Sequence, residues 1–144
     1  MAHVKIINGP NLNLVGRRNP KIYGKRSMEQ IILDVQRLYP EVQFTYLQSN
    51  HEGDLIDWIQ QAEEPIIINA GGYTHTSVAL RDAAEWAVEQ GRIVVEVHLS
   101  DIYAREDFRQ NSMLIDVCTK TCIGPQCYEE ATQYILDHLP ATEQ

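Results

Sequence analysis

The sequence predicts an α/β fold, an open parallel sheet of five strands with helices on both faces. Three observations carry that expectation. Apolar runs and amphipathic stretches alternate from one end of the chain to the other, the order that parallel strands joined by helical crossovers require. Residues 65–70 (PIIINA) and 92–99 (RIVVEVHL) contain short β-branched runs of the kind buried on both faces of a parallel sheet. At 144 residues the chain is long enough for a single domain, 1–144, that buries about two-thirds of its unfolded surface.

The elements follow in order. Residues 4–8 read as the first strand, and a long punctuated connection, 9–24, follows it. A helix opens at Ser27, whose spacing to Gln30 is that of a capping box; Met28, Ile31, Ile32, Val35, Leu38 and Tyr39 form its apolar face and Pro40 ends it. Strands are expected at 43–48, 66–69, 93–98 and 117–123, and helices at 54–62, 77–90 (stopped by Gly91) and 126–139. Residues 141–144 read as a frayed end. Five strands in this arrangement predict a flavodoxin-like, doubly wound α/β/α sandwich with its site at the topological switch point.

Composition narrows the function. Hydrophobic content of 44% and charged content of 22% are those of an ordinary globular protein, and no apolar run approaches the roughly 20 residues that span a bilayer. Twelve basic against 20 acidic residues give a net charge of −8, which argues against nucleic acid as a partner while permitting a small basic pocket. The first residues lack a signal-peptide layout, so a cytoplasmic address is expected. Cys118, Cys122 and Cys127 are odd in number, form no CxxC pair and have only His138 nearby, so they read as reduced, buried thiols rather than a disulfide or zinc framework. Neither GxGxxG nor GxxxxGK with a following Ser or Thr occurs after the first strand, which removes the dinucleotide and P-loop readings.

The 9–24 segment, GPNLNLVGRRNPKIYG, lies at a strand's carboxyl end and shows no helical or strand pattern. Connections of that length are usually functional or disordered. It carries Asn11, Arg18 and Tyr23. After the third strand come Asn69 and His75; the fourth ends in Glu96 and His98 and runs on to Arg105 and Arg109. Strand periodicity places Glu96 and His98 on one face, where the carboxylate can orient the ring. Taken singly, each residue has a structural alternative: His98 as a bonded strand histidine, His75 as a helix cap, Tyr23 as a loop anchor, Arg105 and Arg109 as partners of Glu106 and Asp107, Asp82 as an exposed helix residue beside Arg81. Their convergence on one sheet edge favours chemistry. Tyrosine, histidine, asparagine and arginine without a nucleotide loop or metal motif fit proton transfer on a small anionic substrate: a phenolate beside a cation takes a proton next to a carbonyl, and histidine protonates a departing hydroxyl, without a cofactor.

The blocks GPNLNLVGRRNPKIYG, QSNHEG, IIINAGGYTHTSVALRDA, VEVHLS and AREDFR, in this order, resemble type II 3-dehydroquinate dehydratase (3-dehydroquinase) along almost the whole chain. The resemblance implies reversible dehydration of 3-dehydroquinate to 3-dehydroshikimate by anti elimination through an enolate. It assigns Tyr23 as the base, Arg18 as the group that favours its phenolate, His98 as the general acid oriented by Glu96, and Asn11 as the holder of a water and the enolate. It implies that Asn69, His75, Leu99, Ser100 and Arg109 bind substrate, that Asp82 reaches a neighbouring subunit's site in a trimer-based dodecamer, and that residues of about 11–24 form a mobile lid. No cofactor, metal, nucleic acid or membrane is implied. The same reaction in quinate breakdown, and a non-enzymatic flavodoxin-like binding module, stand as alternatives. The chain departs from the family pattern at Asn19-Pro20, Asp101, Tyr103, Gln110-Asn111 and most of all in CTKTCIGPQCYEEA, which raises a question of subunit packing more than of activity.

Overall fold

Three consecutive isoleucines set the middle of the molecule. Ile66 and Ile68 enter one apolar cluster, Ile67 enters the other, and all three are fully buried. Successive strand side chains leave on opposite faces, so such a run needs cover on both. Burying each one contributes roughly 1.5–3 kcal/mol.

The computed structural model describes residues 2–140, and the expected fraying at 141–144 lies outside them. Strands β1 (Ala2–Asn8), β2 (Val42–Gln48), β3 (Ile66–Asn69), β4 (Val94–His98) and β5 (Lys120–Ile123) form one parallel sheet in the order β2-β1-β3-β4-β5. Helices α2 (Met28–Leu38) and α5 (Cys127–His138) cover the face bearing Ile6, Ile67, Val95 and Val97. Helices α3 (Glu52–Gln61) and α4 (Val78–Glu89) cover the face bearing Ile7, Ile66, Ile68 and Val94. The winding reverses between β1 and β3, and the carboxyl ends of those strands border the crevice where this architecture binds ligands.

The expected doubly wound sheet is therefore present, with local differences. Strand β5 starts at Lys120 rather than 117 because the preceding residues turn: Val117 and Cys118 both donate their backbone N–H to the Leu114 carbonyl, at 3.1 and 2.9 Å. Ser27 does cap α2, its hydroxyl accepting from the Gln30 backbone at 3.1 Å, but the Gln30 side chain turns to Asp34 and the reciprocal half of the capping box is not made. Leu38, expected on the apolar face, is 59% exposed, while Tyr39 is buried and its hydroxyl reaches α5. The 9–24 connection is not patternless: a 3-10 turn spans Leu12–Leu14 and a single-turn helix, α1, spans Pro20–Tyr23. Asn19 caps α1 by accepting from the Lys21 backbone at 3.0 Å, with Pro20 in the first position. Cys122 and Cys127 are buried and Cys118 half-buried, and burial pushes all three thiols up.

Gly9 joins β1 to the crevice. Its N–H donates to the Asn69 carbonyl at 2.7 Å, and a Cβ there would stand 2.5 Å from the Ala70 carbonyl oxygen. Gly9→Ala is expected to destabilise the fold by about 1–3 kcal/mol, the usual cost of overpacking. Gly53→Ala, inside α3 with open space where the methyl would go, should stabilise by about 0.4–1 kcal/mol. Urea unfolding midpoints measure both, and a neutral Gly9→Ala would contradict the close approach of the two strand ends.

Candidate active site

A cleft of about 140 Å³ opens at the carboxyl edge of β1, β3 and β4. Drug-sized ligands occupy about 300–1,000 Å³, so this cleft suits something smaller. Its walls come from three connections, each leaving one of those strands.

The connection after β1 supplies Asn11, Arg18 and Tyr23. Asn11 is the non-glycine residue with positive φ among the described residues, at φ 68°. Its backbone N–H donates to Asn50 Oδ1 at 3.1 Å, which anchors the turn to the β2–α3 loop. Helix α1 presents Tyr23 to Arg18, whose Nη2 donates to the phenolic oxygen at 2.9 Å. The Arg18 guanidinium also lies 4.2 Å from the Tyr23 ring centre, and that of Arg105 lies 5.2 Å from it. The tyrosine therefore has two cations close to its ring.

The β3 end supplies Asn69 and His75. His75 does not cap α4; Ser77 does, accepting from the Leu80 backbone at 2.9 Å. His75 Nδ1 instead lies 2.8 Å from the Asn111 carbonyl. A carbonyl only accepts, so Nδ1 carries the proton and Nε2 of the neutral ring is an acceptor. Burial, opposed by the Asn111 carbonyl and reinforced by His98, Arg109 and Arg105, holds His75 below its ordinary value of 6.5.

The β4 end supplies His98, Leu99 and Ser100, and the connection beyond it Arg105 and Arg109. Glu96 and His98 share a face as expected, with His98 Nε2 2.9 Å from Glu96 Oε2. The contact at Nε2 falls short of a regular hydrogen bond in its geometry, and it is an ion pair only when the ring is protonated. Glu96 has no exposure to solvent. Thr121 donates to its Oε1 at 2.8 Å and Ser112 donates to its Oε2. Burial works against the carboxylate, but His98 and these two hydroxyls outweigh it and hold Glu96 below the usual carboxylate range. Arg109 pairs with Glu106, the structural alternative read from the sequence, and still lines the cleft. Arg105 pairs with neither Glu106 nor Asp107: its Nη1 donates to Ser100 Oγ at 3.3 Å.

Nine of the expected residues thus line one cleft: Asn11, Arg18, Tyr23, Asn69, His75, His98, Leu99, Ser100 and Arg109. Two do not. Glu96 lies beneath His98 and acts on the site only through it, and Asp82 is exposed on α4, away from the cleft of its own chain. Sequence reasoning missed the supports: Ser112 and Thr121 under Glu96, Asn50 behind Asn11, and Asn8 with Tyr128 behind Asn69. Only Asn8, a polar residue ending an apolar strand, left a readable signal. The atypical CTKTCIGPQCYEEA stretch stands directly behind the site, since the Gly124 N–H donates to the His98 carbonyl at 2.8 Å. Among the described residues no group of three His, Cys, Asp or Glu side chains is placed to hold a metal ion.

Residues 2–136 match the family described as dehydroquinase class II. A 3-dehydroquinate dehydratase of Prochlorococcus marinus is 47% identical over 141 residues, covering 93% of each chain. One from an Exiguobacterium species is 45% identical over 140 residues, covering 94% of each. The crystal structure of type II dehydroquinase from Butyrivibrio crossotus superposes with a TM-score of 0.88 at 35% identity, covering 94% of this chain and 97% of that one.

Two titrations test the electrostatics. Because Glu96 is held below its ordinary 4.5, its contribution to stability is present above pH 4.5 and is lost as the pH falls through the depressed native value. Glu96→Gln should therefore flatten the loss of stability below pH 4.5 in unfolding curves, and an acid limb as steep as the parent's would contradict the assignment. The His75 ring should titrate by NMR with a midpoint below 6.5; a midpoint above that value would mean that burial and the neighbouring cations do not outweigh the Asn111 carbonyl.

Proposed function

The chain belongs to the class II dehydroquinase family, and from that premise we propose that it is a hydro-lyase converting 3-dehydroquinate reversibly into 3-dehydroshikimate and water. The observation that carries the mechanism is the 2.9 Å contact of Arg18 Nη2 with the Tyr23 oxygen inside a cleft that His98 also lines.

In this reading Tyr23, as phenolate, takes the C2 proton of the substrate. Arg18 opposes the negative charge on the phenolic oxygen before the transfer, and a charge-assisted hydrogen bond of this kind contributes about 1.5–3 kcal/mol. The electron pair left at C2 moves into the adjacent C3 carbonyl and gives an enolate, which Asn11 holds together with a bound water. As the enolate collapses, the C1–oxygen bond breaks and His98 gives its proton to the departing hydroxyl, which leaves as water. With His98 Nε2 turned to Glu96, Nδ1 is the nitrogen left to face the substrate, and the ionised Glu96 balances the imidazolium that a general acid must be. The net change is loss of one water, with Tyr23 protonated and His98 neutral until they exchange protons with solvent or in the reverse reaction.

The remaining residues bind. Arg109 supplies positive charge for the carboxylate. Neutral His75 accepts from a substrate hydroxyl through Nε2, and Asn69, Leu99 and Ser100 meet further oxygens. The segment of about 11–24 closes as a lid that excludes water, with Gly24 at φ 86° where the chain leaves α1. Asp82, exposed on α4, serves the site of a neighbouring chain in a trimer-based dodecamer. The enzyme works in the cytoplasm in the shikimate pathway, supplying aromatic amino acid biosynthesis, or on the same reaction in quinate breakdown. No helix among the described residues is long and apolar enough to cross a membrane.

The test is an assay with 3-dehydroquinate, following the ultraviolet absorbance of the enone product, with and without a chelator. Turnover unaffected by the chelator is expected, and a folded sample that turns over no substrate would sink the reading. Tyr23→Phe and His98→Ala should each lower kcat by roughly 10²-fold or more, the usual scale for loss of a general base or acid. A normal kcat in Tyr23→Phe would remove tyrosine from the role of base.

A further inference from the structure

Behind the cleft a buried polar chain leads away from Asn69, and its other members have no part in the reaction described above. Asn8 and Asn69 stand opposite one another at the ends of β1 and β3, and the fully buried Tyr128 of α5 puts its hydroxyl between their side chains. Tyr128 Oη donates to Asn8 Oδ1 at 2.7 Å and accepts from Asn69 Nδ2 at 3.2 Å. We propose that Tyr128 is a positioning residue that locks the Asn69 amide so that it offers the cleft an N–H donor, which selects an acceptor oxygen of the substrate at that point. The proposal rests on the function above and deepens it.

Both ends of the chain impose the same polarity. At the far end the other side of the Asn8 amide lies 3.2 Å from Met28 Sδ and 3.3 Å from Tyr46 Oη. A thioether has no proton to give, so the group facing it must be Nδ2, and Oδ1 must face Tyr128. Tyr128 then spends its one proton on Asn8, and its oxygen can only accept from Asn69. That places Asn69 Nδ2 toward the tyrosine. At the near end the Gly71 backbone N–H, which can only donate, lies 3.2 Å from Asn69 Oδ1 and demands the same orientation. Reversing the chain would set an oxygen against sulfur at one end and N–H against N–H at the other, in an interior where unpaired polar groups are costly. Burial raises the Tyr128 hydroxyl well above its usual range, so its donor proton stays in place across working pH. Asn69 Nδ2 has two protons and Tyr128 takes one. Asn69 lines the cleft, which leaves the second for the ligand.

Steady-state kinetics with 3-dehydroquinate on Tyr128→Phe, Asn69→Ala and the double variant test this. Tyr128→Phe should raise KM about tenfold, the scale of one lost hydrogen bond, and leave kcat within about threefold and its pH profile unmoved. The double variant should bind no worse than Asn69→Ala alone, because the tyrosine acts through the asparagine. Additive KM effects, or a fall in kcat at unchanged KM, would overturn the proposal. A second measurement needs neither substrate nor a folded variant: in the free parent protein the Asn69 amide proton bonded to Tyr128 should exchange with solvent at least about a hundredfold more slowly than the amide protons of exposed asparagines, as a locked donor must. Fast exchange there would overturn the positioning role, whereas absent turnover by the parent enzyme would overturn the proposed function alone.

Discussion

A carboxylate without access to water, in the interior of the sheet, constrains everything built around it. Glu96 sits on β4 with no exposure, and an uncompensated charge there costs several kcal/mol. Its partners come from separate places in the chain: His98 two residues on, Ser112 on the connection from the site, and Thr121 directly opposite on β5. Satisfying it therefore holds the β4–β5 register and returns the connection bearing Arg105 and Arg109 to the sheet. The histidine ring inherits its orientation from the same contact. A group that never touches the cleft thus decides where several cleft residues stand.

The site combines preset hydrogen-bond polarity with concentrated positive charge. His75 is bound through Nδ1 to a backbone carbonyl, which leaves an acceptor, and the guanidinium groups of Arg18 and Arg105 both lie close to the Tyr23 ring. The whole chain carries −8, yet the cleft walls carry Arg18, Arg105 and Arg109. Only Arg109 of these is paired with a carboxylate among the described residues. In a recess with low-dielectric walls such a grouping focuses its field inward, which matches an anionic ligand. The acidic exterior and the basic recess are two properties of one molecule, and net charge alone describes only the first.

The strand-by-strand layout was legible because its signals are local. Ile66–Ile68, the Ser27 cap and the Gly91 stop each declare an element within a few residues, and residues ending β1, β3 and β4 had to share an edge once the strands were parallel. What escaped had either too short a period or too long a reach. Helix α1 is a single turn, too brief for periodicity, although Asn19-Pro20 is a start signal in itself. Leu38 fitted the apolar stripe by spacing but lies past the edge of the sheet-facing surface, and Tyr39 takes the buried place because its hydroxyl reaches α5.

The sequence by itself determined the fold class, the order of the elements, the strand ends at which chemistry gathers, and nine of the residues that line the cleft, since pattern and chemical type are properties of neighbouring positions. Tertiary structure alone decided how those residues are held. Ser112 and Thr121 under Glu96, Asn50 against the left-handed Asn11, and Tyr128 between Asn8 and Asn69 are contacts across 16 to 120 positions of chain. The physical reason is the requirement that buried polar groups be paired: it binds atoms by proximity in space, and the chain order records nothing of which distant hydroxyl or amide will meet it.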